Sequence, residues 1–274
     1  VNDKNKNLLL RLGTAAVLLP LILWLIGKGG FFSAGLMGWA SAVVAGEYYV
    51  ITMKKLSPVA FVGIAVAAAL PVFPAWLPAH AGDLAFWSVG AFAIVAWSVN
   101  LMKDPLPDGP MRAAHLVTGL LYGGVGLTAL SAVRLTAEGL GWVVCALVIT
   151  WANDTCAYFA GRFLGKHKLY PLVSPNKTWE GFFGGMAGSV GGLFITKLVY
   201  FHALTPLDCV LVGLAGGMLG PLGDLSESML KRAYNVKDSG KIIPGHGGLL
   251  DRIDALLFNA PMVFVYVQFL RPVL

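Results

Sequence analysis

Charge is scarce in this sequence: Asp, Glu, Lys and Arg together supply 12% of its 274 residues, against roughly a quarter in soluble domains. With 57% of residues hydrophobic, the composition excludes a water-facing surface over the whole chain and fits a bilayer as solvent. Cysteine is scarcer still. Cys145, Cys156 and Cys209 are odd in number, lie in or beside apolar runs and form no C-x-x-C pair, which excludes a disulfide framework and a zinc site. Long polar stretches are missing too. The longest run over residues 161–178 and 228–251, too short for a soluble second domain. The net charge of +6 does not mark a nucleic-acid partner, because Lys and Arg fall between apolar segments, the default placement in membrane proteins.

What the chain does have is a succession of uncharged apolar stretches close to the ~20 residues that a helix needs to cross a bilayer. Nine such spans can be drawn, over residues 8–26, 31–51, 58–77, 82–101, 113–134, 139–160, 179–201, 206–227 and 252–270. The expected fold is therefore all-α, a polytopic transmembrane helical protein of about nine spans, some broken by glycine or proline. Pro20 is one such break, and Gly184-Gly185, Gly191-Gly192 and Gly216-Gly217 mark sites of close helix approach. Residues 1–145 form an N-terminal transmembrane region, and residues 146–274 a C-terminal region that carries the chemistry on its loops. The basic loops containing Lys54-Lys55, Lys103 with Arg112, Arg162 to Lys177 and Lys231 to Lys241 all follow even-numbered spans, which places them in the cytoplasm. Lys4, Lys6 and Arg11 conflict with the external N-terminus that this implies.

Because acids are few and expensive at membrane depth, those present ask for a use. Asp154, Asp224, Asp251 and Asp254 stand at the ends of apolar segments. Asp224 follows Gly220-Pro221, where a helix is open to interruption. If helix resumes there, Asp224, Ser228 and Lys231 share a face. Asp251 and Asp254 open the last apolar segment three residues apart, suited either to a hard divalent cation or to capping of the helix N-terminus. Between them and Asp224 lie Lys231, Arg232, Lys237 and Lys241, then Gly245-His246-Gly247-Gly248. Cations followed by glycines that admit a ligand to backbone N–H groups form an anion cradle, with His246 either an acid–base group or a loop anchor. Upstream, Ser174 and Thr178 are helix caps or phosphate contacts around Lys177. Glu47 reads as a side chain that snorkels to the interface. The same features suit an ion transporter with a midplane site.

The stretch Ser228-Met229-Leu230-Lys231-Arg232, Lys237-Asp238-Ser239-Gly240 and Pro244 through Asp254 resembles the signature of the phosphatidate cytidylyltransferases, or CDP-diacylglycerol synthases. Asn153 to Arg162 and Ser174 to Gly181 resemble an upstream motif of the same family. The resemblance covers residues 150–258 and implies CMP transfer from CTP to phosphatidic acid, giving CDP-diacylglycerol and pyrophosphate with Mg2+, in more than one copy. It implies Asp224 and Asp251 as metal ligands and catalytic groups with Lys231 and Arg232, and Asp254 and Asp154 as further ligands. Ser174, Lys177, Ser228, Lys237, Lys241, His246, Gly247 and Gly248 then bind substrate. The expected setting is a bacterial inner membrane with the site facing the cytoplasm, and a homodimer is compatible with it. Another CTP-using lipid enzyme, such as a polyprenol kinase, stays open as an alternative.

Overall fold

The computed structural model describes the backbone of residues 3–53, 55–103, 105–245 and 247–273, with side chains from Leu12 onward at those positions. The helices are α1 (Asp3–Lys28), α2 (Gly30–Thr52), α3 (Pro58–Ala69), α4 (Phe73–Trp76), α5 (Ala81–Leu101), α6 (Gly109–Arg134), α7 (Gly139–Leu164), α8 (Trp179–Val199), α9 (Pro206–Ala233) and α10 (Leu250–Val265). All nine apolar segments are helical. Among the described residues, seven helical stretches are long and apolar enough to cross a membrane, from Pro58–Trp76 through Leu250–Val273. Among the residues of α1 whose side chains are described, the apolar stretch Leu12–Lys28 is shorter than these, and α2 is not among the seven. Neither Pro20 nor Pro221 breaks its helix.

The contacts divide the chain into two compact units, 1–135 with 234–252 and 136–233 with 253–274. Within the first, α2 and α6 lie close because glycine removes the side chain between them. A Cβ at Gly123 would sit 2.8 Å from the Ala45 nitrogen and the Ser41 oxygen. Ser41 Oγ donates to the Gly123 carbonyl at 2.5 Å, and the fully buried Tyr49 hydroxyl donates to Leu116 O at 2.6 Å. These polar groups are thereby satisfied away from water.

In the second unit a glycine-lined face of α8 meets α7: Cβ atoms at Gly185, Gly188 and Gly192 would lie within 3.0 Å of Asn153, Cys156 and Ala152. On α9, a Cβ at Gly213 would come 2.7 Å from Val190 Cα, a backbone atom with no rotamer to yield. Gly213→Val is therefore expected to cost about 1–3 kcal/mol, read as a lower melting temperature in detergent. Gly191→Val, with open space around it, should cost less, and equal losses would contradict the packing account.

The connection from α7 to α8 is not plain loop. It folds into an antiparallel hairpin of β1 (Lys168–Tyr170) and β2 (Ser174–Thr178), with Lys168 opposite Thr178 and Tyr170 opposite Ser174. Thr178 then caps α8, its hydroxyl accepting from Gly181 N at 3.1 Å. A cap of this kind contributes about 1 kcal/mol, and it fixes where the hairpin leaves Lys177.

Candidate active site

Helix α9 gathers the chemistry of the second unit. Pro221 has no N–H to give the carbonyl of Gly217, one turn earlier. Asn153 of α7 supplies the missing donor, with Nδ2 3.2 Å from Gly217 O. The carbonyl that proline frees is thus bonded, and the helix continues to Ala233 where the sequence allowed an interruption. Past Pro221, Asp224, Glu227, Ser228 and Lys231 follow at helical spacing. Ser228 Oγ donates to Asp224 Oδ1 at 3.2 Å, as their spacing predicts. Lys231 Nζ lies 2.7 Å from Glu227 Oε2, and the Glu227 side chain is only 2% exposed.

Asp224, Glu227 and Asp254 form an acidic group whose oxygens lie within 4.8 Å of one another. Lys177 reaches it from β2, Nζ lying 2.7 Å from Asp224 Oδ2 and 3.5 Å from the Pro221 carbonyl. With all three carboxylates ionised, they and the two ammonium groups leave one formal negative charge, and all the candidate donors are oxygens. That donor set fits a hard divalent cation.

Beside this group, Asp224, Lys177 and Pro221 line a cavity of about 590 Å³ together with Asp154, Arg162 and Tyr158. Its volume is in the range of small-molecule sites. Arg162 donates to Tyr158 Oη at 2.7 Å and lies 5.9 Å from the centre of that ring, so the guanidinium is held in the wall. The wall of the cavity therefore carries both cations, Lys177 and Arg162, and carboxylates, Asp154 and Asp224.

Asp251 belongs to the first unit, where its Oδ2 accepts from Ser239 N at 2.9 Å and Gly248 N at 3.1 Å, and lies 3.0 Å from Ser239 Oγ. It thereby folds the connection between α9 and α10 back on itself. Gly245 and Gly247 in this loop have φ of 76° and 87°, left-handed values natural to glycine. The Gly248 amide, expected to face an anionic ligand, is bonded to Asp251 instead. Lys237, Lys241 and Arg232 are exposed, Ser174 is half-buried on β2, and His246 lies outside the described residues.

The sequence singles out neither Glu227 nor the buried surroundings of Glu47. Glu227 is three residues from Asp224, a spacing that could have revealed it. Glu47 does not snorkel to an interface: it is 9% exposed, and its carboxylate accepts from the Leu249 and Leu250 amides. Nothing local in its sequence announces that role, since its partners lie about two hundred positions away.

A family model described as the Cytidylyltransferase family matches residues 9–270 of this chain. Proteins named phosphatidate cytidylyltransferase in Staphylococcus epidermidis and Staphylococcus saprophyticus are each 35% identical, over 256 and 255 residues. One of the same name in Staphylococcus aureus is 34% identical over 258 residues. Each alignment covers 91% of this chain and 95% of the relative.

Proposed function

Given that this chain belongs to the Cytidylyltransferase family, we propose that the second unit performs CMP transfer from CTP to phosphatidate with a divalent ion, Mg2+ by preference, held at Asp224, Glu227 and Asp254. The protein is an integral membrane enzyme of phospholipid synthesis. The observation that carries the metal reading is the convergence of three carboxylates beside a cavity whose wall holds Lys177 and Arg162.

The reaction needs no activated side-chain nucleophile, because phosphatidate brings its own phosphate oxygen. That oxygen bonds to the α-phosphorus of CTP, the bond from the α-phosphorus to the bridging oxygen breaks, and pyrophosphate departs with the electron pair. The residues of the chain align two polyanions and offset their repulsion. Lys177 is held by Asp224 at a fixed distance from the helix backbone, so its charge meets a phosphate group without reorganising. Arg162, braced on Tyr158, supplies a second fixed cation. When bound, the divalent ion neutralises phosphate oxygens of the nucleotide. Lys237, Lys241 and Arg232, all exposed, add long-range attraction for CTP.

A bacterial inner membrane with the site on the cytoplasmic side suits this reading, since the basic loops all follow even-numbered apolar segments of the sequence and CTP is water-soluble. The product ratio tests the reaction. With purified protein, Mg2+, phosphatidate and CTP labelled in the α-phosphate, CDP-diacylglycerol and pyrophosphate are expected in equal amounts. CDP with no labelled lipid would instead identify transfer of the γ-phosphate, as in a lipid kinase.

A further inference from the structure

In the first unit Glu47 is a buried carboxylate whose hydrogen bonds, among the described residues, go to the loop before α10 and to the first residue of that helix. Its Oε2 accepts from Leu250 N at 2.7 Å and lies 3.1 Å from Ser239 Oγ, and its Oε1 accepts from Leu249 N at 3.0 Å. Leu250 opens α10 and Leu249 immediately precedes it; the first N–H groups of a helix have no acceptor within it, and a carboxylate there is favoured by the helix dipole. Ser239 Oγ also lies 3.0 Å from Asp251 Oδ2, so its one proton serves either acid at a time.

The glycines of the loop make room for this side chain. A Cβ at Gly240 would collide with Glu47 Oε1, and one at Gly248 would come 2.8 Å from the same atom and collide with Ser239 Oγ. Gly248, one of the glycines that read as a cradle for a substrate anion, thus lies against the carboxylate of Glu47.

We propose that Glu47 is a positioning residue for cytidylyl transfer: it fixes the first turn of α10 and, through Ser239, the carboxylate of Asp251, and so sets where Asp254, one turn further along the same helix, presents its oxygens. Glu47 acts through these groups rather than on the substrates. The proposal rests on the reading that Asp254 belongs to the metal-holding group.

Three variants test it: Glu47→Gln, Asp254→Asn and Ser239→Ala. In Glu47→Gln one backbone N–H meets an amide N–H2 instead of an oxygen, with no change in side-chain volume. Purified protein without nucleotide is titrated with Mn2+ and free ion is read by electron paramagnetic resonance. Glu47→Gln is expected to weaken Mn2+ binding roughly tenfold, the scale of lost support behind a metal ligand. It should lower kcat similarly while KM for CTP stays within about twofold, and the Leu249 and Leu250 amides should exchange faster with deuterium. If Asp254→Asn binds Mn2+ as tightly as the parent, the metal reading fails and the Glu47 role falls with it. If Asp254→Asn loses Mn2+ while Glu47→Gln keeps parental affinity and kcat, the positioning role alone is overturned. Should Glu47→Gln not fold, a folded Ser239→Ala decides: weakened Mn2+ binding supports the proposal, and unchanged binding overturns it.

Discussion

Asp224→Asn is expected to lower turnover by roughly 10²–10³-fold, the scale seen when one preorganised electrostatic contact is removed, with the fold intact. The Asp224 side chain is 37% exposed, and an amide has nearly the same shape, so packing changes little. Charge is what disappears. Asp224 is the one member of the acidic group that both lines the cavity and pairs with Lys177. Its neutralisation leaves two carboxylates against two lysines, which removes the net negative charge that favours a cation. Half-maximal activity should then require more Mg2+. Lys55→Ala, in the exposed connection between α2 and α3, should leave turnover unchanged. Equal activity in the two variants would contradict the assignment of Asp224.

Asp251→Asn is expected to be nearly as damaging but by a distinguishable route. Asp251 Oδ2 gathers the Ser239 amide, the Gly248 amide and the Ser239 hydroxyl into one point. Hydrogen bonds to a charged acceptor are about twice as strong as neutral ones, so an asparagine oxygen holds the loop more weakly even if it keeps the same geometry. The prediction is a large fall in turnover accompanied by faster deuterium exchange at Ser239 and Gly248. Asp224→Asn should lower turnover without that change. Loss of turnover in Asp251→Asn with exchange at Ser239 and Gly248 unaltered would show that Asp251 acts other than by anchoring the loop.

These two aspartates also show how much could be read in advance. The helices were legible because long uncharged runs have few other solutions in a bilayer, and every backbone polar group must be bonded internally. The face shared by Asp224 and Ser228 followed from helical periodicity, and the hydrogen bond between them is present. Thr178 was legible as a helix cap for the same local reason. Contacts distant in sequence were not legible. Glu227 differs from a solvated acid only because Lys231 meets it and it is buried. The bond from Asn153 to Gly217 repairs the gap left by Pro221, but its donor comes from another helix. The hairpin of β1 and β2 was hidden because its strands are three and five residues long, too short for an alternating pattern to register. The glycine-rich loop was ambiguous for a related reason: glycine reports that something approaches the backbone closely, not whether it is a ligand or a side chain such as Glu47.

The central claim is that a divalent ion at the acidic group of α9 and α10 enables CMP transfer to phosphatidate. Its most direct measurement uses chelator-stripped enzyme with labelled CTP and phosphatidate, titrated with Mg2+ in the parent protein and in Asp254→Asn. Formation of CDP-diacylglycerol is expected to be absent without the ion and restored by it in the parent, with Asp254→Asn requiring far more Mg2+ for any turnover. Turnover undiminished after stripping, or an identical Mg2+ requirement in the two proteins, would contradict the account.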